Sequence, residues 1–83
     1  MRIDLYLHRI RLLKSRTQAQ SLVETGYVRV DGKRIEKPSE QVHEGNVIAL
    51  PIQDRVRVFR IVDLPPRRGP PREARLCYEE LPD

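Results

Sequence analysis

Between Lys14 and Ile35 the chain reads KSRTQAQSLVETGYVRVDGKRI, and inside this stretch the hydrophobic period changes from 3.6 to 2. Ser15 is a good N-cap, and Gln18 three residues later completes a capping box. Ala19, Leu22 and Val23 supply one buried face, and Gly26 follows where a left-handed residue ends many helices. The spacing predicts a helix over 16–25. Val28 and Val30 then point one way and Arg29 the other, before Asp31-Gly32. That dipeptide between β-type residues predicts a hairpin, because a type I′ turn needs positive φ at both central positions.

Outward from this stretch, Ile3, Tyr6, Leu7, Ile10 and Leu13 recur at helical spacing and predict a first helix over 3–13. Asp4 falls in its first turn, where a carboxylate complements the helix dipole. Downstream, EKPSEQVHEGN reads as a loop, VIAL (47–50) as a short strand punctuated by Pro51 and Gln53-Asp54, and 55–64 as a longer strand. In that strand Val56 and Val58 are expected inward, together with Phe59 and Ile61. Arg55, Arg57 and Arg60 cannot share one face of an ideal strand, so a bulge or twist near Phe59 is expected. PPRRGPP (65–71) is a stiff linker, and 72–81 reads as a short helix or a tail. The expected fold class is α+β. Two N-terminal helices pack on a small, mostly antiparallel, twisted sheet, with a domain over 1–64, a Pro/Arg linker over 65–71 and a C-terminal segment over 72–83.

The chain has 83 residues, of which 39% are hydrophobic and 34% charged. A domain this small buries a modest core and leaves little room for a deep substrate pocket. The net charge of +4 is uneven. Residues 1–37 hold nine Lys/Arg against four acids, and the remainder seven against eight. A one-sided basic excess points to nucleic acid or another anionic surface; the alternative is an ordinary solvated face. Cys77 is the single cysteine, so neither an internal disulfide nor a cysteine zinc site is available. No apolar run reaches the length of a membrane span, and MRIDLYLHRIRLLK lacks the unbroken apolar region of a secretory signal. A cytoplasmic monomer without a cofactor is expected.

The enzyme inventory is thin. There is no P-loop, no G-x-G-x-x-G, no H-E-x-x-H and no C-x-x-C. His8 and His43 have no evident partners for catalysis, and Cys77 reads as a packed side chain. The binding inventory is richer. Lys14, Ser15 and Arg16 sit at a helix N-terminus, where free N–H groups and the dipole favour phosphate. Arg9 and Arg11 come from the preceding helix, and Arg29, Lys33 and Arg34 from the hairpin. Arg16 and Gln20 share one flank of the second helix. Tyr27 could stack on a base or staple the helix end, with packing preferred. So few aromatics suit backbone and shape recognition better than reading of single strands.

The order of these residues resembles the S-four domain, an RNA-binding module named after the fourth small-subunit ribosomal protein. The carriers are RIDLYL, KSR, Ala19 and Gly26 around the second helix, VRVDG, KPS and VHEGNVI, spanning about residues 2–50. Asp31 stands where that pattern usually has Asn, and Asn46 where it has Asp; both keep turn chemistry. The strand that follows, PPRRGPP and EARLCYEEL are similar to the ribosome-associated fifteen-kilodalton heat-shock protein family. The resemblance implies binding to the large ribosomal subunit carrying stranded peptidyl-tRNA. Many members of that branch carry a long basic C-terminal extension, and this sequence ends at Asp83, which favours a shorter relative acting in bacterial ribosome quality control. It also implies RNA-facing positions at Lys14–Arg16, at Gln20, and around the hairpin from Arg29 through Asp31 and Gly32 to Lys33.

The expectation is therefore a non-enzymatic binder of structured RNA, ribosomal RNA or tRNA, on the ribosome. The rivals are a protein-interaction adaptor and an RNA-binding accessory to a separate RNA-modifying enzyme.

Overall fold

The structure is a computed structural model that describes residues 1–82; Asp83, the end of the expected C-terminal segment, lies outside them. The elements in chain order are α1 (Ile3–Arg9), α2 (Arg16–Glu24), β1 (Val28–Val30), β2 (Lys33–Ile35), β3 (Val47–Ile52), β4 (Arg55–Ile61), α3 (Pro71–Arg75) and β5 (Tyr78–Glu80). The strands form one sheet in the order β2-β1-β3-β4-β5, antiparallel throughout. The α+β expectation holds.

α1 is shorter than its apolar stripe. The backbone turns out of the helix after the C-cap Ile10, because Arg11 takes a φ of 63°. The Arg11 N–H then bonds the His8 carbonyl at 3.1 Å and the Leu12 N–H the Leu7 carbonyl at 3.2 Å. This is a Schellman ending with arginine where glycine is usual. Leu12 and Leu13 still pack against the core, so the periodicity continues without the helix. α2 agrees with expectation to within one residue: Thr25 is its C-cap and Gly26 follows at φ 82°. A side chain on Gly26 would meet the Arg34 guanidinium.

The hairpin β1–β2 turns at Asp31 (φ 52°) and Gly32 (φ 80°), as a type I′ turn requires. A second hairpin was not expected. β3 and β4 pair in continuous register from Val47↔Arg60 to Ile52↔Arg55, closed by Gln53 and Asp54 at φ 51° and 68°. β3 thus runs through Pro51. In a two-residue hairpin the pair next to the turn exchanges hydrogen bonds and the following pair does not. The Pro51 nitrogen therefore points away from β4, beyond the reach of β1, which pairs only Ala49 and Ile48.

No bulge breaks β4. Phe59 and Ile61 face the core, Val56 is 58% exposed, and Arg57 lies on the inner side with Phe59. The expectation of Val56 and Val58 inward fails because strand parity follows the bulkier Phe59 and Ile61, and Val58 pairs with Ala49 on the outer face. α1 and α2 cover the face carrying Val28, Ile48, Leu50, Phe59 and Ile61. Residues 72–81 divide into the end of α3 and β5, which pairs with β4 (Ile61↔Tyr78). The buried Tyr6 hydroxyl donates to the Cys77 carbonyl at 2.8 Å and ties this segment to α1.

Candidate nucleic-acid interface

Asp4 is fully buried, and its carboxylate organises the α1–α2 junction. Arg2 grips it with Nε on Oδ1 and Nη2 on Oδ2, both at 3.1 Å. The Leu5 N–H donates to Oδ1 at 2.7 Å. From α2, Arg16 Nε and Gln20 Nε2 donate to Oδ2 at 3.3 and 3.1 Å. Burial alone would raise the pKa of this carboxyl. The hydrogen bonds from Gln20, Arg2, Arg16 and Leu5 outweigh burial and hold it below its ordinary value. Arg16 uses only Nε here, so the far edge of its guanidinium is directed past Asp4, and the side chain is 43% exposed. Neither Arg2 nor this role of Asp4 emerged from sequence reasoning. The available signal was an acid at the edge of an apolar helical stripe, one helical turn from the N-terminus and preceded by Arg.

The α2 N-terminus is capped as expected on one side: Ser15 Oγ accepts the Gln18 N–H at 3.1 Å. Gln18 reciprocates one residue early, its Oε1 accepting the Lys14 N–H at 3.1 Å. Lys14 is exposed, and no acid pairs with its ammonium among the described residues.

The hairpin group lies at the other end of α2, roughly 14 Å away along a nine-residue helix. Arg29 is exposed, its Nη1 bonding the Gly32 carbonyl at 3.4 Å. Lys33 is exposed, and Arg34 faces Glu36 at 3.6 Å. Asp31 is engaged within the protein: Oδ1 accepts the Val47 N–H at 2.8 Å and Oδ2 the Asn46 amide at 2.7 Å. Tyr27 is 73% exposed. The packing role preferred for it fails, because the residue stands largely open to solvent.

Arg9 and Arg11 belong to a third group. Arg9 Nη1 donates to the Pro65 carbonyl at 3.0 Å and Arg11 Nε to the Gly69 carbonyl at 2.6 Å, while Arg68 Nε returns a bond to the His8 carbonyl at 3.1 Å. The proline segment is thus strapped to the end of α1. The candidate residues fall into these three clusters, with Arg16 common to the Asp4 hub and the cations around His8. Among the described residues no group of His, Cys, Asp and Glu is placed to hold a metal, and no helix is long and apolar enough to cross a membrane.

The S4 domain pattern matches residues 1–48. The chain belongs to the S4 domain family. Its S4 region is 49% identical over 49 residues to small ribosomal subunit protein uS4 of Lacticaseibacillus casei, covering 59% of this chain and 24% of that protein. The protein of the same name from Ligilactobacillus salivarius is 41% identical over 61 residues, 74% of this chain and 29% of that one. This chain therefore spans about a quarter of the ribosomal proteins it matches. The trimeric structure of Vibrio cholerae heat shock protein 15 superposes with a TM-score of 0.91 at 32% identity, covering 98% of this chain and 81% of that one. The solution structure of the hypothetical protein HP1423 gives 0.79 at 27% identity, covering 100% and 99%. The Asp4 hub, the α2 N-terminus and the hairpin lie inside the matched S4 region; the strapped linker and β5 lie outside it.

Proposed function

We propose that this S4 protein binds structured RNA without catalysing a reaction, on the large ribosomal subunit carrying stranded peptidyl-tRNA, in rescue or quality control of stalled translation. One observation carries the RNA reading: buried Asp4 holds Arg16 and Gln20 beside the α2 N-terminus, with Lys14 next to them and unpaired among the described residues. Free amides, a planar guanidinium and an ammonium in one place suit phosphate oxygens. The likeness to heat shock protein 15 favours the ribosome-associated branch of the family named above, and the ribosomal-protein relatives support a cytoplasmic place of action.

Contacts of this kind release counterions. With about five phosphates neutralised on a duplex-like RNA, log K falls against log salt with a slope of roughly −4 to −5, several hundred-fold between 50 and 200 mM. A flat salt dependence would sink the electrostatic mechanism. Crosslinking in cells with stalled ribosomes tests the finer assignment, which expects large-subunit RNA and tRNA to be recovered together; recovery of small-subunit RNA alone overturns it.

A further inference from the structure

A cleft of about 340 Å³ opens between the turn after α1 and the C-terminal segment, lined by Arg11, Arg57, Arg68 and Arg75 with Leu12 and Tyr78 among its walls. Its size is within the roughly 300–1,000 Å³ of ligand clefts. No acid lines it. The neighbouring hollow of about 280 Å³ beneath the linker sets Asp63 and Glu73 beside Arg9 and Arg67, so its charge is balanced.

The four arginines are held rather than scattered. Arg11 and Arg68 each use Nε on a backbone carbonyl of the other's segment, 58 and 60 residues away in sequence, which leaves their Nη atoms without a partner among the described residues. Arg57 is anchored through Nη2 by Glu80, with Tyr78 as a second hydrogen-bonding neighbour of its guanidinium, and its Nε is buried without a hydrogen-bond partner among the described residues. An orphan N–H of this kind is costly unless an acceptor reaches it. Arg11 also occupies the left-handed position where glycine is the usual residue. Strapping like charges together repels, so packing alone does not account for the arrangement. Burial, and then the charges of Arg68, Arg16, Arg11 and Arg9, hold the nearby His8 imidazole below its ordinary value.

We propose that this cleft is a phosphate-binding site that continues the RNA surface beyond the S4 region, with Arg11, Arg57, Arg68 and Arg75 as its lining cations. The phosphate chemistry stands on the cleft; that the phosphate belongs to an RNA strand rests on the RNA-binding reading above.

The test uses the full chain labelled with ¹⁵N, observing the arginine Nε–Hε signals while titrating pyrophosphate and, separately, an RNA hairpin. Both probes are expected to shift Arg57 and Arg68. In the double variant Arg68→Ala/Arg75→Ala the Arg57 shift is lost. RNA affinity then falls roughly three- to tenfold, and the salt slope flattens by about 0.9 for one lost phosphate contact. Arg75→Ala alone, which removes an exposed side chain, guards against a folding artefact and is expected to show a smaller loss in the same direction. If RNA binds with unchanged slope while the cleft signals stay still, the cleft proposal is overturned and the RNA reading survives. Pyrophosphate binding in the cleft without RNA binding supports the site and overturns its assignment to RNA. Silence toward both probes overturns both.

Discussion

The α1–α2 junction and the β1–β2 hairpin each depend on one aspartate, in opposite surroundings. Asp4 is fully buried and collects N–H groups from Arg2, Leu5, Arg16 and Gln20. Asp31 is exposed and bonds Asn46 and the Val47 N–H. The first carboxylate orders side chains that reach outward; the second orders backbone, joining the hairpin turn to the start of β3. Cations beside Asp4 are therefore preorganised, whereas Arg29 and Lys33 beside Asp31 keep rotamer freedom that the proposed RNA contact would take from them. On the proposed reading, the same functional group would contribute affinity in one place and shape in the other.

The largest break in this comparison is Asp4→Ala. It strips the acceptor from five hydrogen bonds. Because Arg2 and Arg16 remain about two-fifths exposed and can turn to water, the expected loss is about 2–4 kcal/mol, below the full penalty of a stranded buried charge. Urea unfolding measures it; a change under ~0.5 kcal/mol, the usual size of a surface substitution, would remove Asp4 from the centre of the junction. Asp4→Asn sharpens the point. It raises the net charge by one, which by attraction alone strengthens RNA binding, yet the hub predicts weaker binding because Arg16 and Gln20 lose their anchor.

Acid gives the same contrast by titration. The folded-state pKa of Asp4 is depressed, so its contribution is present above the ordinary value of 3.8 and is lost as pH falls through the folded value. The stability gap between the native chain and Asp4→Asn should narrow only below about pH 3.8; a gap closing near neutrality would assign the effect to another group.

A smaller effect tests the hairpin. The sequence comparison presented Asp31 and Asn46 as two separate departures from the S4 pattern, but the two side chains bond each other at 2.7 Å. They are one reciprocal exchange. Asp31→Asn alone sets amide against amide, and Asn46→Asp alone sets carboxylate against carboxylate. Each should cost about 1 kcal/mol, while the double swap should return to within ~0.5 kcal/mol of the native chain, a coupling of about 1 kcal/mol or more. Additive losses would mean that the contact carries no energy.

The smallest expected change is Arg29→Ala or Lys33→Ala. Neither residue makes an ion pair among the described residues, so melting temperature should hold. Each that touches a phosphate should flatten the salt slope by about 0.9. An unaltered slope for both would confine RNA to the Asp4 end.

Much of the S4 architecture was legible in short windows. Ser15 capping, the Ala19–Val23 face, Gly26 and Asp31-Gly32 act within a few residues, so α2 and the first hairpin could be read directly. The Gln53-Asp54 hairpin was missed because neither residue is glycine and Pro51 resembles a strand end; only the pairing with β4 shows the ring facing an unoccupied side. The end of α1 was misplaced because Leu12 and Leu13 remain in the apolar pattern after Arg11 has broken the helix. Lys14, Arg16 and Gln20 were identified as candidate binding residues, but not the carboxylate that orients the latter two.

By itself the sequence determined the helix–hairpin order, the basic bias of the first 37 residues and the turn chemistry, because each rests on local sterics, capping or composition. Only the tertiary structure decided which arginines are spoken for and which are left open. Arg16 reaches Asp4 across 12 residues, Arg11 reaches Gly69 across 58, and Tyr6 reaches Cys77 across 71. A guanidinium has several donors, and its nearest acceptor is set by chain segments brought together in three dimensions, which no local pattern records.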